Sequence, residues 1–177
     1  MKFSPSTVQT SYDSPLGRII LAAAHDRLIG VWFDGQSHQP DTTRWPAERD
    51  QPVLQQAQTQ LSAYFAGQRQ AFELALDLSA GTDFQQSVWR ALLQIPFGAT
   101  LSYGALSAGI GKPAAVRAVA GAVARNPLSI IVPCHRVLGA GASLTGYAGG
   151  LPRKTALLQL EGACFKPEPT QPQEATP

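Results

Sequence analysis

The hydrophobic pattern changes period once, near Thr82, and a chain with that change has to pack a strand-rich unit against a helical one. Before it, residues 8–12, 18–24 and 28–33 are short runs rich in β-branched and aromatic side chains, parted by Ser14-Pro15-Leu16-Gly17 and His25-Asp26-Arg27. They predict an antiparallel meander. Residues 34–49 are polar and aperiodic, with two prolines, and predict a surface loop. A helix follows: Asp50 caps it, Pro52 suits its first turn, Val53, Ala57, Leu61 and Phe65 share a stripe, and Gly67 ends it. Phe72, Leu74, Leu76 and Leu78 then alternate with Glu73 and Asp77, the period of a further strand. Residues 1–81 thus read as a small α/β domain, and nothing in them resembles an active site. Trp32, His25 and the His38–Trp45 neighbourhood read as structural or solvent-facing.

After Thr82 the texture is helical. Thr82 and Gln85 make a capping box ahead of Phe84, Val88, Leu92 and Ile95, and Pro96 stops that helix. Ser102 caps a short helix through Ile110, and Gly111-Lys112-Pro113 turns the chain into another that ends near Arg125. The pair predicts a helix-turn-helix within a mostly α domain, residues 82–165. On its second helix Val116, Val119, Ala120 and Val123 share one face, and Ala114, Arg117, Ala118, Gly121 and Arg125 share the other. Small residues with two arginines let a helix approach a nucleic-acid groove closely. The same pattern also describes an ordinary alanine-rich exposed helix. The last helix runs from Pro152 through Leu157, Leu158 and Leu160 to Glu161, with Gly162 as its stop, and proline-rich residues 166–177 predict a disordered tail.

Charge is divided along the same boundary. Residues 1–81 carry 6 Lys/Arg against 8 Asp/Glu, whereas residues 82–165 carry 7 against 2, so the basic block faces a polyanion or is a solvated face. With 44% hydrophobic and 15% charged residues, most of the chain should fold. No run of about 18 apolar residues appears, and Met1-Lys2-Phe3-Ser4-Pro5 lacks the apolar core of a secretion signal, so a cytoplasmic location is expected. Two cysteines, Cys134 and Cys164, are too few for a disulfide scaffold, and no Cys/His cluster has metal-ligand spacing; neither metal nor cofactor is expected.

The chemistry concentrates in residues 126–137, an apolar strand-like run ending at Pro133-Cys134-His135-Arg136. Arg136 and the neighbouring imidazole favour thiolate at Cys134, the reactive form, whereas Cys164 reads as a small buried hydrophobe. In extended backbone, side chains of adjacent residues oppose each other, so a water rather than a direct bond would link Cys134 to His135. Such a base needs an orienting acceptor, and Glu161 is the best candidate, since Asp83 is explained as a first-turn helix residue. Asn126, before Pro127, can act as a hinge between the arginine-bearing helix and the cysteine segment, or as a plain turn residue. Five glycines within residues 139–150, around Tyr147, predict a loop shaped for close approach to a ligand.

Pro133-Cys134-His135-Arg136-Val137, with Asn126-Pro127 before it and Gly146-Tyr147-Ala148-Gly149-Gly150 and Leu157-Leu158-Gln159-Leu160-Glu161-Gly162 after it, resembles the O6-alkylguanine-DNA alkyltransferases. The match is close over roughly residues 82–165 and holds only in outline before that. The resemblance implies a ribonuclease H-like N-terminal domain and a winged-helix C-terminal domain. It implies that Cys134 takes the alkyl group from O6-alkylguanine, or less efficiently O4-alkylthymine, in double-stranded DNA, once and irreversibly. His135 and Glu161 would form the water-linked relay, and Asn126 the hinge. Tyr103 would donate to the departing base and Arg117 would fill the gap left by the flipped nucleotide, beside Ala114, Ala118, Gly121 and Arg125. Tyr147, Ala148, Val137 and Ser129 would line the pocket. Ser129 and Thr145 stand where relatives vary in size, which bears on the alkyl groups accepted. The protein is expected to act as a monomer, with cooperative assembly on DNA left open. Two other readings fit parts of the pattern: a non-catalytic binder of alkylated DNA, from which the retained Cys134 discriminates, and a helix-turn-helix regulator with an inert cysteine.

Overall fold

The computed structural model describes residues 1–166. Its first unit is the expected meander: β1 (Thr7–Ser14), β2 (Gly17–Ala24) and β3 (Arg27–Phe33) form an antiparallel sheet in the order β1-β2-β3. Ile19, Leu21 and Ala23 of β2 face the main core, and Ala22 and Ala24 face a second cluster with Ile29, Trp32, Phe3 and Trp45. A bulge opposite Ala22/Ala23 leaves Ile29 as the extra residue of β3, so Leu28 and Val31, three apart, both reach the main core. Helix α1 (Pro52–Phe65) covers that face with Val53, Leu54, Ala57, Leu61 and Tyr64. Its cap is Gln51 rather than Asp50, because the Gln51 side chain accepts from the Leu54 amide at 3.0 Å.

Residues 72–78 do not form the expected strand. Their one ladder contact is a parallel bridge between Leu76 and Leu28, with the Leu28 amide donating to the Ala75 carbonyl and the Asp77 amide donating to that of Leu28. The rest of that edge of β3 is already taken: the Val31 amide donates to Pro127 O at 2.8 Å and the Ser129 amide to Val31 O at 2.9 Å. The alternation of Phe72, Leu74, Leu76 and Leu78 records half-buried side chains on an extended segment, not a ladder. The shared edge also joins the two halves of the chain.

The second unit contains α2 (Asp83–Leu92), α3 (Tyr103–Gly109), α4 (Val116–Ala124) and α5 (Leu151–Leu160), with a two-stranded parallel pairing of β4 (Leu101–Ser102) and β5 (Val137–Leu138). The Thr82/Gln85 capping box and the Ser102 cap form as the sequence predicts. Trp89 is wholly buried and donates through its indole N–H to the Ala122 carbonyl, fixing α2 on α4. On α4 the buried side chains are Val119, Ala122 and Val123; Val116, expected on that face, is exposed at the first turn. Cys164, expected to be buried, is exposed just past the last helix; Lys166, expected to begin the tail, is bridged to Ser143, and residues 167–177 lie outside the described residues. Among the described residues no helix is long and apolar enough to cross a membrane.

Gly30 sits where the Trp32 ring folds over the sheet, and a Cβ there would lie 1.8 Å from that ring. Because the ring is buried, Gly30→Ala should destabilise the protein by about 1–3 kcal/mol, the usual range for overpacking, read as a lower midpoint in urea unfolding.

Candidate active site

The segment expected as a strand before Cys134 is instead a tight coil. The Val132 amide donates to Leu128 O and the Cys134 amide to Val132 O, both at 2.8 Å, and buried Ile130 takes φ +72°. A β-branched residue in that region costs on the order of 1–3 kcal/mol and persists only where its surroundings dictate it. Asn126 supplies part of that constraint. Its Oδ1 accepts from the Leu128 amide at 3.0 Å, and its Nδ2 donates to Val132 O at 2.7 Å and to Cys134 Sγ at 3.1 Å. The residue expected as a hinge thus fixes the coil and touches the thiol.

Cys134–Arg136 is one 3₁₀ turn, not extended backbone. With about three residues per turn, adjacent side chains diverge by roughly 120°, and Cys134 and His135 accordingly reach different partners. His135, wholly buried, meets Glu161 through Nε2 at 2.8 Å from Oε1. A carboxylate can only accept, so Nε2 carries the proton and Nδ1 keeps its lone pair. Nδ1 is buried without a hydrogen-bond partner among the described residues. Burial lowers the His135 pKa, against the raising effect of Glu161, which keeps the ring neutral.

Arg136 does not face the thiol as expected. Its Nε donates to Glu161 Oε2 at 2.8 Å, its Nη2 to Oε1 at 2.9 Å and its Nη1 to the Ile95 carbonyl at 2.6 Å. A further donor to Glu161 comes from the N-terminal domain, where the buried Tyr64 hydroxyl lies 2.7 Å from Oε1. Sequence reasoning missed Tyr64, whose position on the apolar stripe of α1 marks it only as core. Burial pushes the Glu161 carboxyl up, but the bonds from His135 and Arg136 outweigh that and hold it at about 2.

Lys154 was also missed, since a lysine in the first turn of a helix reads as solvated. It is wholly buried, donating to Val137 O at 2.6 Å and Thr145 O at 3.0 Å. Burial lowers its pKa to about 8, against an opposing contribution from Cys134. Burial likewise raises the Cys134 thiol, while the Asn126 bond and the Lys154 charge pull it down. The cation whose charge acts on the sulfur is therefore Lys154 rather than Arg136.

An open cavity of about 400 Å³ is lined by Tyr103, Thr145, Tyr147 and Ala148, with Ala120 and Ala124 of α4. Tyr103 and Tyr147 both lie within electrostatic reach of Cys134, which adds to burial in raising their pKa values. Ser129 and Val137, expected in the pocket, do not line it: Ser129 is buried with its hydroxyl 3.1 Å from Gln36 Oε1, and Val137 is core, paired with Leu101. Of the expected nucleic-acid face, Ala114, Arg117, Ala118 and Arg125 are exposed and Gly121 half-buried. Arg125 folds back so that Nη1 donates to Gly121 O at 3.1 Å.

Fold and site define a protein of two joined domains with a buried thiol bonded to Asn126, a buried His135–Glu161 pair, and a cavity lined by two alanines of α4 and by two tyrosines within electrostatic reach of that thiol; Cys134, His135 and Glu161 do not themselves line it. Residues 7–78 match the family model for the ribonuclease-like domain of 6-O-methylguanine DNA methyltransferase, and residues 83–163 match that for its DNA binding domain. The chain is 50% identical over 149 residues to the methylated-DNA–protein-cysteine methyltransferase of Mycobacterium bovis, covering 84% of this chain and 88% of the relative. It is 46% identical to that of Methanosarcina acetivorans, covering 86% and 97%. The crystal structure of Mycobacterium tuberculosis O6-methylguanine methyltransferase superposes with a TM-score of 0.80 at 48% identity, over 88% of this chain and 93% of that one. Mycobacterium tuberculosis OGT, crystallised in complex with DNA, superposes equally well, with a TM-score of 0.80 at 48% identity over 88% of this chain and 92% of that one. This chain belongs to the 6-O-methylguanine DNA methyltransferase family.

Acid should unfold it through the buried His135–Glu161 pair. Glu161 holds its proton less tightly folded, at about 2, than its ordinary 4.5, and His135 is likewise lowered from 6.5. Between the folded and unfolded values the unfolded chain binds more protons, so stability is full above 6.5 and falls as pH drops through 4.5 toward 2. For Glu161 alone the loss is on the order of 3 kcal/mol, measurable by urea unfolding at stepped pH.

Proposed function

We propose that this protein repairs double-stranded DNA by one irreversible transfer of the alkyl group from O6-alkylguanine, and less efficiently from O4-alkylthymine, to Cys134. The observation that carries the reading is a thiol held by Asn126 at 3.1 Å, within electrostatic reach of the Tyr103 and Tyr147 that line the cavity, with a neutral imidazole, itself bonded to a buried carboxylate, next in the chain. The O6 atom is out of reach inside a duplex, so the nucleotide turns out of the stack into the cavity. Arg117, exposed on α4, occupies the gap it leaves, and small Ala114, Ala118 and Gly121 let the helix lie close to the groove. A monomer acting in the cytoplasm fits these parts.

The thiol proton passes through a water to His135 Nδ1, and Glu161 stabilises the imidazolium so formed. Lys154 and Asn126 stabilise the thiolate. Sulfur attacks the alkyl carbon, the S–C bond forms as the C–O bond breaks, and the electron pair leaves with guanine. Tyr103 donates its hydroxyl proton to the departing base, and the proton held on His135 passes through solvent to the Tyr103 phenolate so formed. The product thioether is a poor leaving group, so each molecule acts once.

Intact mass with peptide mapping, after mixing with an oligonucleotide containing O6-methylguanine, should show a gain of one CH2 on Cys134. Binding with unchanged mass would replace this reading with that of a non-catalytic binder. Cys134→Ala should lose transfer and keep DNA binding.

Lys154 generates a separate expectation. Lys154→Met leaves the thiolate without its cation, so the transfer rate should fall by about 10- to 100-fold, a loss of order 1–3 kcal/mol in transition-state stabilisation. Its pH profile should move to higher pH. Single-turnover rates between pH 6 and 9 check both, with circular dichroism confirming the fold.

A further inference from the structure

The N-terminal domain also reaches the cavity directly. Between β3 and α1 the polar loop returns over the C-terminal domain, and Ser37 and His38 complete the cavity wall. Its anchors are explicit. The nearly buried Gln36 side chain accepts from the Phe33 amide at 2.9 Å and lies 3.1 Å from the Ser129 hydroxyl, and the Ser37 amide donates to Ala148 O at 3.0 Å. The loop is thereby tied both to the coil that carries Cys134 and to the glycine-rich loop that carries Tyr147.

Held between those anchors, His38 adopts φ +65°, in the left-handed region that L residues enter at a cost. Its side chain remains exposed. On α4 and at position 148 the wall is alanine, so the imidazole is the one large group that the N-terminal domain sets into the wall. The volume, about 400 Å³, is within the range of small-molecule sites.

We propose that His38 is a specificity-determining residue that limits the size of the O6 substituent the cavity accepts. The proposal rests on the transfer reaction described above. His38→Gly and His38→Asn both tolerate left-handed backbone, so the loop keeps its course while the wall shrinks by different amounts. Transfer rates would be measured on duplex oligonucleotides carrying O6-methylguanine or O6-benzylguanine. In His38→Gly the benzyl-to-methyl rate ratio should rise at least about fivefold, a modest part of the discrimination one pocket contact can supply. His38→Asn should fall between the parent and His38→Gly. A ratio that stays within about twofold of the parent, or that drops, overturns the proposal, since a merely structural loop residue would lower both rates together. Failure of the parent protein to alkylate Cys134 with either oligonucleotide would overturn the transfer reading first and this inference with it.

Discussion

One buried carboxylate organises this molecule. Glu161 has no exposed side-chain surface, and a charge so placed is tolerated only when its oxygens are fully met by donors. Arg136 meets it twice, His135 once and Tyr64 once, and the Gly98 amide lies 3.4 Å from Oε2. These donors come from the 3₁₀ turn, the loop after α2 and the N-terminal helix α1. The carboxylate therefore joins both domains and orients the His135 ring at the same time. Arg136 has a second consequence. A lone carboxylate at 2.8 Å would draw a proton onto His135 and make the ring a cation with no lone pair to offer. The Arg136 charge opposes the raising effect of Glu161, so burial prevails and the ring stays neutral, with its Nδ1 lone pair retained.

The thiol sits in a balance of the same kind. A dry environment protects a nucleophile from side reactions but penalises its charged form. Here the penalty at Cys134 is opposed by the buried ammonium of Lys154 and the Asn126 amide, both of which are fixed by backbone carbonyls rather than by the sulfur alone. Since Asn126 bonds Val132 O and Lys154 bonds Val137 O and Thr145 O, neither has to move when the sulfur gains charge. Preorganised groups of that sort assist a step in which charge develops, because no reorganisation accompanies it.

Much of this was legible in the sequence, for physical reasons that differ by element. The three strands and the helices follow from period and punctuation, and the Thr82/Gln85 and Ser102 caps form where local chemistry dictates. Residues 72–78 were misread because alternation reports half-burial, while a ladder also needs a free edge, and that edge is shared with residues 127–129. The turn at Cys134 was misread as a strand because its apolar run encodes burial and not backbone direction; only Ile130 at positive φ reveals the coil. Cys134, His135 and Glu161 stood out as reactive types in a run otherwise poor in acids. Tyr64 and Lys154 did not, because a tyrosine on an apolar stripe and a lysine in a first helical turn have ordinary explanations, and their partners are distant in sequence.

That distance bears on why the first domain exists at all. The N-terminal half carries no cysteine and more acidic than basic residues, yet it contributes the Tyr64 hydroxyl to the Glu161 carboxylate and the Gln36–Ser37 anchors to the cavity rim. Both contributions come from segments positioned by the sheet: α1 packs on its inner face, and the rim loop leaves the end of β3. The β3 edge in turn bonds Pro127 and Ser129, next to Asn126. A strained coil at Ile130 would relax if its flanks were free, and β3 is what clamps the flank on one side while Asn126 clamps it from within. The meander is thus the rigid backing against which a helical domain holds its thiol in place.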